Sequence, residues 1–325
     1  MKKNIMVMGR LSDSQQEELA QHFTLLEHSG SLDLTQPGVA EVLAKAHGII
    51  GSGLPVTPEL LDAAPALEVI STVSVGYDSI PVDELTKRGI MLCNTPDVLT
   101  ETTADIGFAL IMAAGRRVIE LAEVVKQGKW KSSIGPDLFA NDVHGKTLGM
   151  VGFGRIGAAI ARRGALGFGM PILYSNASPK AELEKELGAK RCELDTLLAE
   201  SDYVCITVPL TQETEKLIGK REFSLMKPSA VFVNIARGKV VDEAALIEAL
   251  ENDTIRAAGL DVFEQEPLPT SSPLPHMHNV VALPHIASAT HETREAMAQR
   301  AVDNIRLALQ GERPINVVNE TVLNA

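Results

Sequence analysis

The sequence predicts an α/β protein built as two doubly wound domains, each a parallel sheet covered on both faces by helices. Three observations carry that expectation. The chain has 325 residues, 45% of them hydrophobic, which exceeds the usual single-domain size and makes two domains of about 150 residues the natural prior. Short apolar runs alternate with amphipathic stretches in two separate series, the pattern of βαβ units. Two long stretches of helical periodicity lie between and after those series.

In the first series strands are expected at 5–8, 24–27, 48–50, 67–72 and 90–93, and helices at 13–22, 39–46, 58–64 and 82–88. Across 100–128, Ile106, Leu110, Ile111, Val118, Leu121 and Val125 recur at helical spacing, and 292–310 has the same character. These two helical stretches read as domain crossings. The first domain is then discontinuous, 1–99 plus 292–325, and the second is 100–291. Segment 127–144 carries Gly, Pro, Asn and the only tryptophan, Trp130, and reads as a long loop. Loops of that length are often functional or interfacial, and an ordinary surface excursion stays open beside that reading.

The second series begins at Leu148 and places strands at 172–174, 203–208, 231–235, 257–262 and 280–283. Aromatic residues are only 4% of the chain, so the cores are built from Ala, Val, Ile and Leu, which suits tight helix-on-sheet packing. Open α/β sheets bind ligands at the carboxyl ends of their strands. The active site is therefore expected in the cleft between the two domains.

Composition excludes several classes. A formal net charge of -12 disfavours a general nucleic-acid or membrane-surface binder, because those partners need a basic field. A small anionic substrate would need a local cationic pocket instead. Cys93, Cys192 and Cys205 are odd in number and lack metal-ligand spacing, so neither a disulfide framework nor a metal is expected and a reducing cytoplasm fits. The apolar stretch 5–8 behind the opening lysines is too short for a leader or a membrane span and reads as a first strand.

The most informative segment is Leu148-Gly149-Met150-Val151-Gly152-Phe153-Gly154-Arg155-Ile156-Gly157, an apolar strand entering G-x-G-x-x-G and then a helix-forming run. In that context Gly152 permits a tight turn, Gly154 clears the approach to a pyrophosphate, and Gly157 lets helix and strand come together. The helix N-terminus offers unpaired N–H groups to phosphate oxygens. The pattern reads as a Rossmann/flavodoxin-like dinucleotide turn. About 20 residues on, an NAD site wants an acid for the ribose 2′-hydroxyl. Here stand Ser175, Asn176, Ala177 and Ser178, with Lys180 and Arg155 close in sequence. The expected cofactor is NADPH in preference to NADH, although Asn176 and Ser178 also suit the start of a helix at Pro179.

Three segments after later strands carry ionisable groups: Arg237 in 231–238, Asp261 and Glu266 in 259–268, and His285 in 283–290. In a parallel sheet those ends share one edge, so the groups converge. A cation, carboxylates and an imidazole beside a nicotinamide suit carbonyl reduction. Arg237 can bind an anionic substrate bidentately, and His285 can donate and accept a proton near neutrality. Glu266 on its second nitrogen would favour imidazolium. Spacing alone leaves simpler roles open: a structural His285, a solvated Glu266, a helix-start turn at Arg237-Gly238 and a buried cap at Asp261.

Ser74-Val75-Gly76-Tyr77-Asp78, the glycine turn, Asn234-Ile235-Ala236-Arg237-Gly238, Gly259-Leu260-Asp261-Val262, Glu266-Pro267-Leu268 and Pro284-His285-Ile286-Ala287-Ser288-Ala289-Thr290 together resemble the D-isomer-specific 2-hydroxyacid dehydrogenases. Within that family the chain is similar to glyoxylate/hydroxypyruvate reductases and bacterial 2-ketogluconate reductases. The resemblance implies that Arg237, Glu266 and His285 are the catalytic set, with His285 the proton donor in reduction. It implies that Val75 and Gly76 amides bind the substrate carboxylate and that Arg155 and Ile156 lie on the pyrophosphate. Ile235, Ala236 and Arg237 would run along the cofactor, with Asp261 and Ser288 near the nicotinamide carboxamide. It also implies a homodimer joined through the cofactor domain, with the Trp130 loop as an intersubunit arm.

One departure is Ala287, where the family usually has Gly. The missing ribose acid is shared with NADPH-using members. The expected activity is thus an NADPH-preferring reduction of a short 2-oxo acid: glyoxylate, hydroxypyruvate or 2-ketogluconate. A short phosphoglycerate dehydrogenase is less expected, since no basic cluster awaits a substrate phosphate and no regulatory domain is expected past Ala325. A nucleotide-sensing, corepressor-like binding protein on the same fold is the alternative of another class, disfavoured by the absence of basic or disordered tails.

Overall fold

The computed structural model describes every residue except 1, 10, 28–31, 37 and 325. The chain divides into two compact units, Met1–Leu99 with Thr290–Ala325, and Thr100–Ala289. Each is a doubly wound α/β unit.

In the first unit β1 (Asn4–Met8), β2 (Thr24–Glu27), β3 (Gly48–Gly51), β4 (Val69–Thr72) and β5 (Met91–Cys93) form a wholly parallel sheet in the order β2-β1-β3-β4-β5. Successive strand residues point to opposite faces, so each strand serves two cores. Met6, Ile49, Ile70 and Leu92 pack with Leu43, Leu60 and Leu85. Ile5, Ile50, Val69 and Cys93 pack with Ala301, Val302 and Ile305 of the C-terminal helix. That helix, His291–Leu309, starts where the Thr290 hydroxyl accepts the Thr293 N–H at 3.2 Å, a capping arrangement. A Cβ on Gly48 would sit 2.9 Å from Ile305 Cδ1, which is how closely helix and sheet approach.

In the second unit β6 (Leu148–Val151), β7 (Ile172–Ser175), β8 (Lys190–Arg191), β9 (Tyr203–Ile206), β10 (Val231–Asn234), β11 (Ala257–Leu260) and β12 (Val280–Ala282) are all parallel, in the order β12-β11-β10-β9-β6-β7-β8. The order reverses between β6 and β9, the switch point where such sheets bind dinucleotides. Met150, Tyr174, Cys205 and Val233 face one core with Leu110, Ile111 and Ile160, while Val204, Ile206, Phe232 and Leu260 face the other with Leu197, Phe223 and Leu246.

The helical stretch expected as one piece over 100–128 is two helices, Thr100–Gly115 and Val118–Lys126. The break lies at Arg117, whose φ is +55°. Gly115 rests on the Tyr203 ring, where a Cβ would meet the hydroxyl. The Arg117 guanidinium grips both oxygens of Glu120, at 2.7 and 2.6 Å, and the Asp137 carbonyl at 2.7 Å. Those charge-assisted bonds offset the roughly 1–2 kcal/mol that a left-handed residue costs. Helical periodicity continues through the break and so hides it. The polar two-residue edge strand β8 was not among the expected strands either, because Lys190-Arg191 carries no apolar alternation.

Candidate active site

The strand–turn–helix after β6 has the geometry its glycines imply. Gly152 has φ +91°, a conformation that L side chains avoid, and a Cβ there would meet the Val208 nitrogen at 2.8 Å. A Cβ on Gly157 would meet the Gly152 carbonyl oxygen at 2.6 Å and Thr207 Oγ1 at 2.8 Å. Gly154 is different: an added Cβ there touches no protein atom within 4 Å. The helix Arg155–Arg162 begins at Gly154 without a side-chain cap, and the N–H groups of a helix N-terminus suit an anion. Arg155 is exposed and Ile156 half-buried at that first turn. A pyrophosphate fits this cradle, since the open side of the turn is the side where a side chain is missing.

Beyond β7, Asn176 Oδ1 accepts the Phe153 N–H at 3.1 Å, and Asn176 Nδ2 donates to the Ser178 carbonyl at 2.9 Å. The glycine turn and the segment after β7 are thereby tied together. Ser175 and Asn176 are half-buried and Ser178 is exposed. Arg191 of β8, which the sequence did not single out, donates from Nε to the Asn176 carbonyl and from Nη2 to the Ala177 carbonyl, each at 3.2 Å. Thr207 after β9 was missed too, and its hydroxyl donates to the Gly152 carbonyl at 2.9 Å.

The chemistry-bearing residues follow three adjacent strands in register: Asn234 of β10 pairs with Leu260 of β11, which pairs with Ala282 of β12. After β10, the buried Asn234 accepts the Ala236 N–H and donates to the Arg237 carbonyl, both at 3.0 Å, so the Ile235-Ala236-Arg237 turn is fixed from beneath. Arg237 Nη1 donates to the Ala236 carbonyl at 2.7 Å. At Gly238 a Cβ would overlap the Phe263 carbonyl carbon at 1.8 Å. The turn bearing Arg237 therefore lies directly against the one bearing Glu266.

Glu266 Oε1 accepts the Phe263 N–H at 3.0 Å, and Oε2 lies 2.7 Å from His285 Nδ1. An ionised carboxylate only accepts, so Nδ1 carries the proton and Nε2 is the nitrogen left for chemistry. His285 adopts φ +53°. That conformation is backed by Asp261, whose two oxygens accept the next two N–H groups, Ile286 at 2.8 Å and Ala287 at 2.9 Å. Asp261 is fully buried. Burial raises its carboxyl above the ordinary range, against the downward pull of those two donors. Ser288 is half-buried in the following turn. The second unit thus brings Arg237, Asp261, Glu266 and His285 to one sheet edge.

In the first unit the carbonyls of Ser74, Val75 and Gly76 are all engaged, by the Thr95 N–H at 2.9 Å, Asn94 Nδ2 at 2.9 Å and Ser74 Oγ at 2.7 Å. The Val75 and Gly76 N–H groups donate to nothing among the described residues, which makes them an amide pair available to an anion. Asn94, one residue past β5, was a further residue that sequence reading passed over. No group of acidic, thiol and imidazole side chains suited to a metal occurs among the described residues.

A dinucleotide cradle at the switch point and an Arg, Glu and His set on neighbouring strand ends define a pyridine-nucleotide oxidoreductase. Residues 108–287 match the model of the D-isomer specific 2-hydroxyacid dehydrogenase, NAD binding domain. The chain is 53% identical over 323 residues, 99% of its length and 100% of the relative's, to glyoxylate/hydroxypyruvate reductase B of Pectobacterium atrosepticum. Its structure resembles an NADPH-dependent glyoxylate/hydroxypyruvate reductase from Sinorhizobium meliloti in complex with NADP and malonate (TM-score 0.87, 35% identity, 99% and 98% of the two chains covered). It also resembles D-lactate dehydrogenase from Aquifex aeolicus complexed with NAD and lactic acid (TM-score 0.88, 30% identity, 98% and 99% covered). The chain belongs to the D-isomer-specific 2-hydroxyacid dehydrogenase family and is an oxidoreductase.

Proposed function

We propose that the protein is an NADPH-preferring reductase of short 2-oxo acids, acting on glyoxylate or hydroxypyruvate to give the D-2-hydroxy acid. The observation that carries this reading is the 2.7 Å contact of Glu266 with His285 on the edge that also bears Arg237. Bound NADPH supplies the hydride. His285 supplies the proton to the substrate's carbonyl oxygen, and Glu266 holds the ring so that Nε2 is the nitrogen presented. Arg237 binds the substrate's carboxylate or carbonyl oxygen and stabilises negative charge as it develops. The Val75 and Gly76 N–H groups are the donors assigned to the carboxylate. Asp261 holds the segment that follows His285, and Ser288 is assigned to the nicotinamide carboxamide.

The cofactor preference is supported by Ser175, Asn176 and Ser178 at the end of β7, where no carboxylate stands to receive a ribose 2′-hydroxyl. A homodimer is part of the proposal. The amphipathic helix Val118–Lys126 has no buried residue, and Val118, Ile119, Val125, Trp130, Ile134 and Phe139 are all exposed. Exposed apolar side chains gathered on this helix and the segment after it suit an interface, and a second copy of this face is the occupant proposed. The three cysteines are free, in keeping with a reducing, cytoplasmic setting.

The test is the loss of NADPH absorbance with glyoxylate, hydroxypyruvate and 2-ketogluconate, each run with both reduced nucleotides. Turnover of glyoxylate or hydroxypyruvate with higher kcat/KM for NADPH supports the reading. No turnover with any 2-oxo acid contradicts it.

A further inference from the structure

We infer that Arg191 is the residue that distinguishes a 2′-phosphate from a 2′-hydroxyl, a role that rests on the dinucleotide reading above and goes beyond it. Arg191 lies on β8, 15 positions past the segment where a ribose-binding residue is ordinarily sought, and reaches that segment because β8 pairs with β7, with Tyr174 opposite Arg191. Its guanidinium lies on the Asn176 and Ala177 carbonyls at 3.2 Å. Asn176 is in turn fastened to the glycine turn through Phe153. The cation is therefore held against the end of β7, the position at which a dinucleotide fold reads the ribose 2′ substituent.

Two features make Arg191 a phosphate reader and not merely a clamp on the turn. Only Nε and one Nη2 hydrogen are used by the carbonyls, so further N–H donors of the planar fork remain. No carboxylate among the described residues pairs with it, and the side chain is exposed. A guanidinium that is anchored on one edge and unneutralised suits an oxyanion, which it can bind by charge-assisted bonds. The segment 175–178 beneath it, Ser-Asn-Ala-Ser, contributes no acid of its own. A 2′-phosphate gains the cation there; a 2′-hydroxyl gains little from it.

The experiment uses nucleotide fragments, so it does not depend on turnover. Calorimetric titration of the whole protein with 2′,5′-ADP and with 5′-AMP gives a ratio of dissociation constants, measured for the wild type, Arg191→Gln and Arg191→Lys. The wild type is expected to bind 2′,5′-ADP at least about tenfold more tightly, the scale of one or two charge-assisted bonds. Arg191→Gln is expected to remove most of that advantage while 5′-AMP binding stays within about threefold, which also shows that the fold is intact. Arg191→Lys, with a charge but no fork, is expected to keep part of it. A wild-type preference for 2′,5′-ADP that survives unchanged in Arg191→Gln overturns the role of Arg191 and leaves the NADPH reading standing. Equal loss for both fragments reduces Arg191 to a clamp on the turn and overturns it as well. A wild type that binds 5′-AMP as tightly as 2′,5′-ADP removes the NADPH reading itself, and this inference with it.

Discussion

Asp261 and Ala287 are joined by a 2.9 Å hydrogen bond, and the same carboxylate takes the Ile286 N–H at 2.8 Å. A fully buried acid on the end of β11 thus fixes the two residues that follow His285 on the neighbouring strand end. Leaving either N–H unpaired in a buried setting costs about 1–3 kcal/mol. Asp261→Asn keeps the shape but supplies one acceptor oxygen and an NH2 group that faces an N–H. Its expected effect is a fall in kcat of roughly tenfold or more. In a His285→Ala background the same change is expected to cost little, because its effect runs through the imidazole. Full additivity of the two substitutions contradicts the positioning role.

Glu266 accepts the Nδ1 hydrogen of His285 and leaves Nε2 for chemistry. In Glu266→Gln an amide replaces the carboxylate that fixes the ring's orientation, and kcat with glyoxylate is expected to fall roughly tenfold or more while NADPH binding stays within about threefold. Wild-type kcat in Glu266→Gln speaks against this role.

Gly154 and Gly157 separate binding from folding. A Cβ on Gly157 presses on the Gly152 carbonyl at 2.6 Å, whereas one on Gly154 touches nothing. Gly157→Ala is expected to lower stability by about 1–3 kcal/mol. Gly154→Ala is expected to leave the melting temperature near wild type and to weaken dinucleotide binding. Thermal unfolding paired with equilibrium titration of NADPH checks both, and unimpaired binding in Gly154→Ala means that the pyrophosphate lies elsewhere.

Burial pushes the thiols of Cys93 and Cys205 up to about 12 from 9.0, and the Tyr203 phenol up to about 12 from 10.0. Over the window from about 9 to 12 the unfolded chain loses these protons while the folded chain keeps them, so stability falls as pH rises. Denaturant midpoints measured across that window are expected to decline less steeply in Cys93→Ala and Cys205→Ala than in the wild type. In native protein only the half-buried Cys192 is expected to react with a thiol reagent at an appreciable rate. Fast labelling of all three contradicts this account of the core.

What was legible in the sequence was local or periodic. The run from Leu148 to Gly157 declares strand, turn and helix within ten residues, and Arg237, Glu266 and His285 each follow a short apolar strand, so parallel topology alone puts them on one edge. What was hidden depends on partners distant in sequence. The left-handed Arg117 is stabilised by Asp137 and Phe139 carbonyls, and nothing in the periodicity of 100–128 marks it. Arg191 reaches the end of β7 only because β8 pairs beside it. The clamp from Asp261 to Ile286 and Ala287 spans 25 and 26 positions, which no spacing rule exposes. Lys180 is the nearer cation by sequence, yet it is Arg191 whose guanidinium lies on the Asn176 and Ala177 carbonyls.

The central claim is that the imidazole of His285 delivers the proton in reduction of a 2-oxo acid. Its most direct test is kcat for glyoxylate with saturating NADPH in wild type and His285→Ala, with the NADPH dissociation constant measured alongside. The expected result is turnover in the wild type and a loss of about 10²–10⁴-fold in the variant, with cofactor binding little changed. Wild-type turnover in His285→Ala would contradict the account.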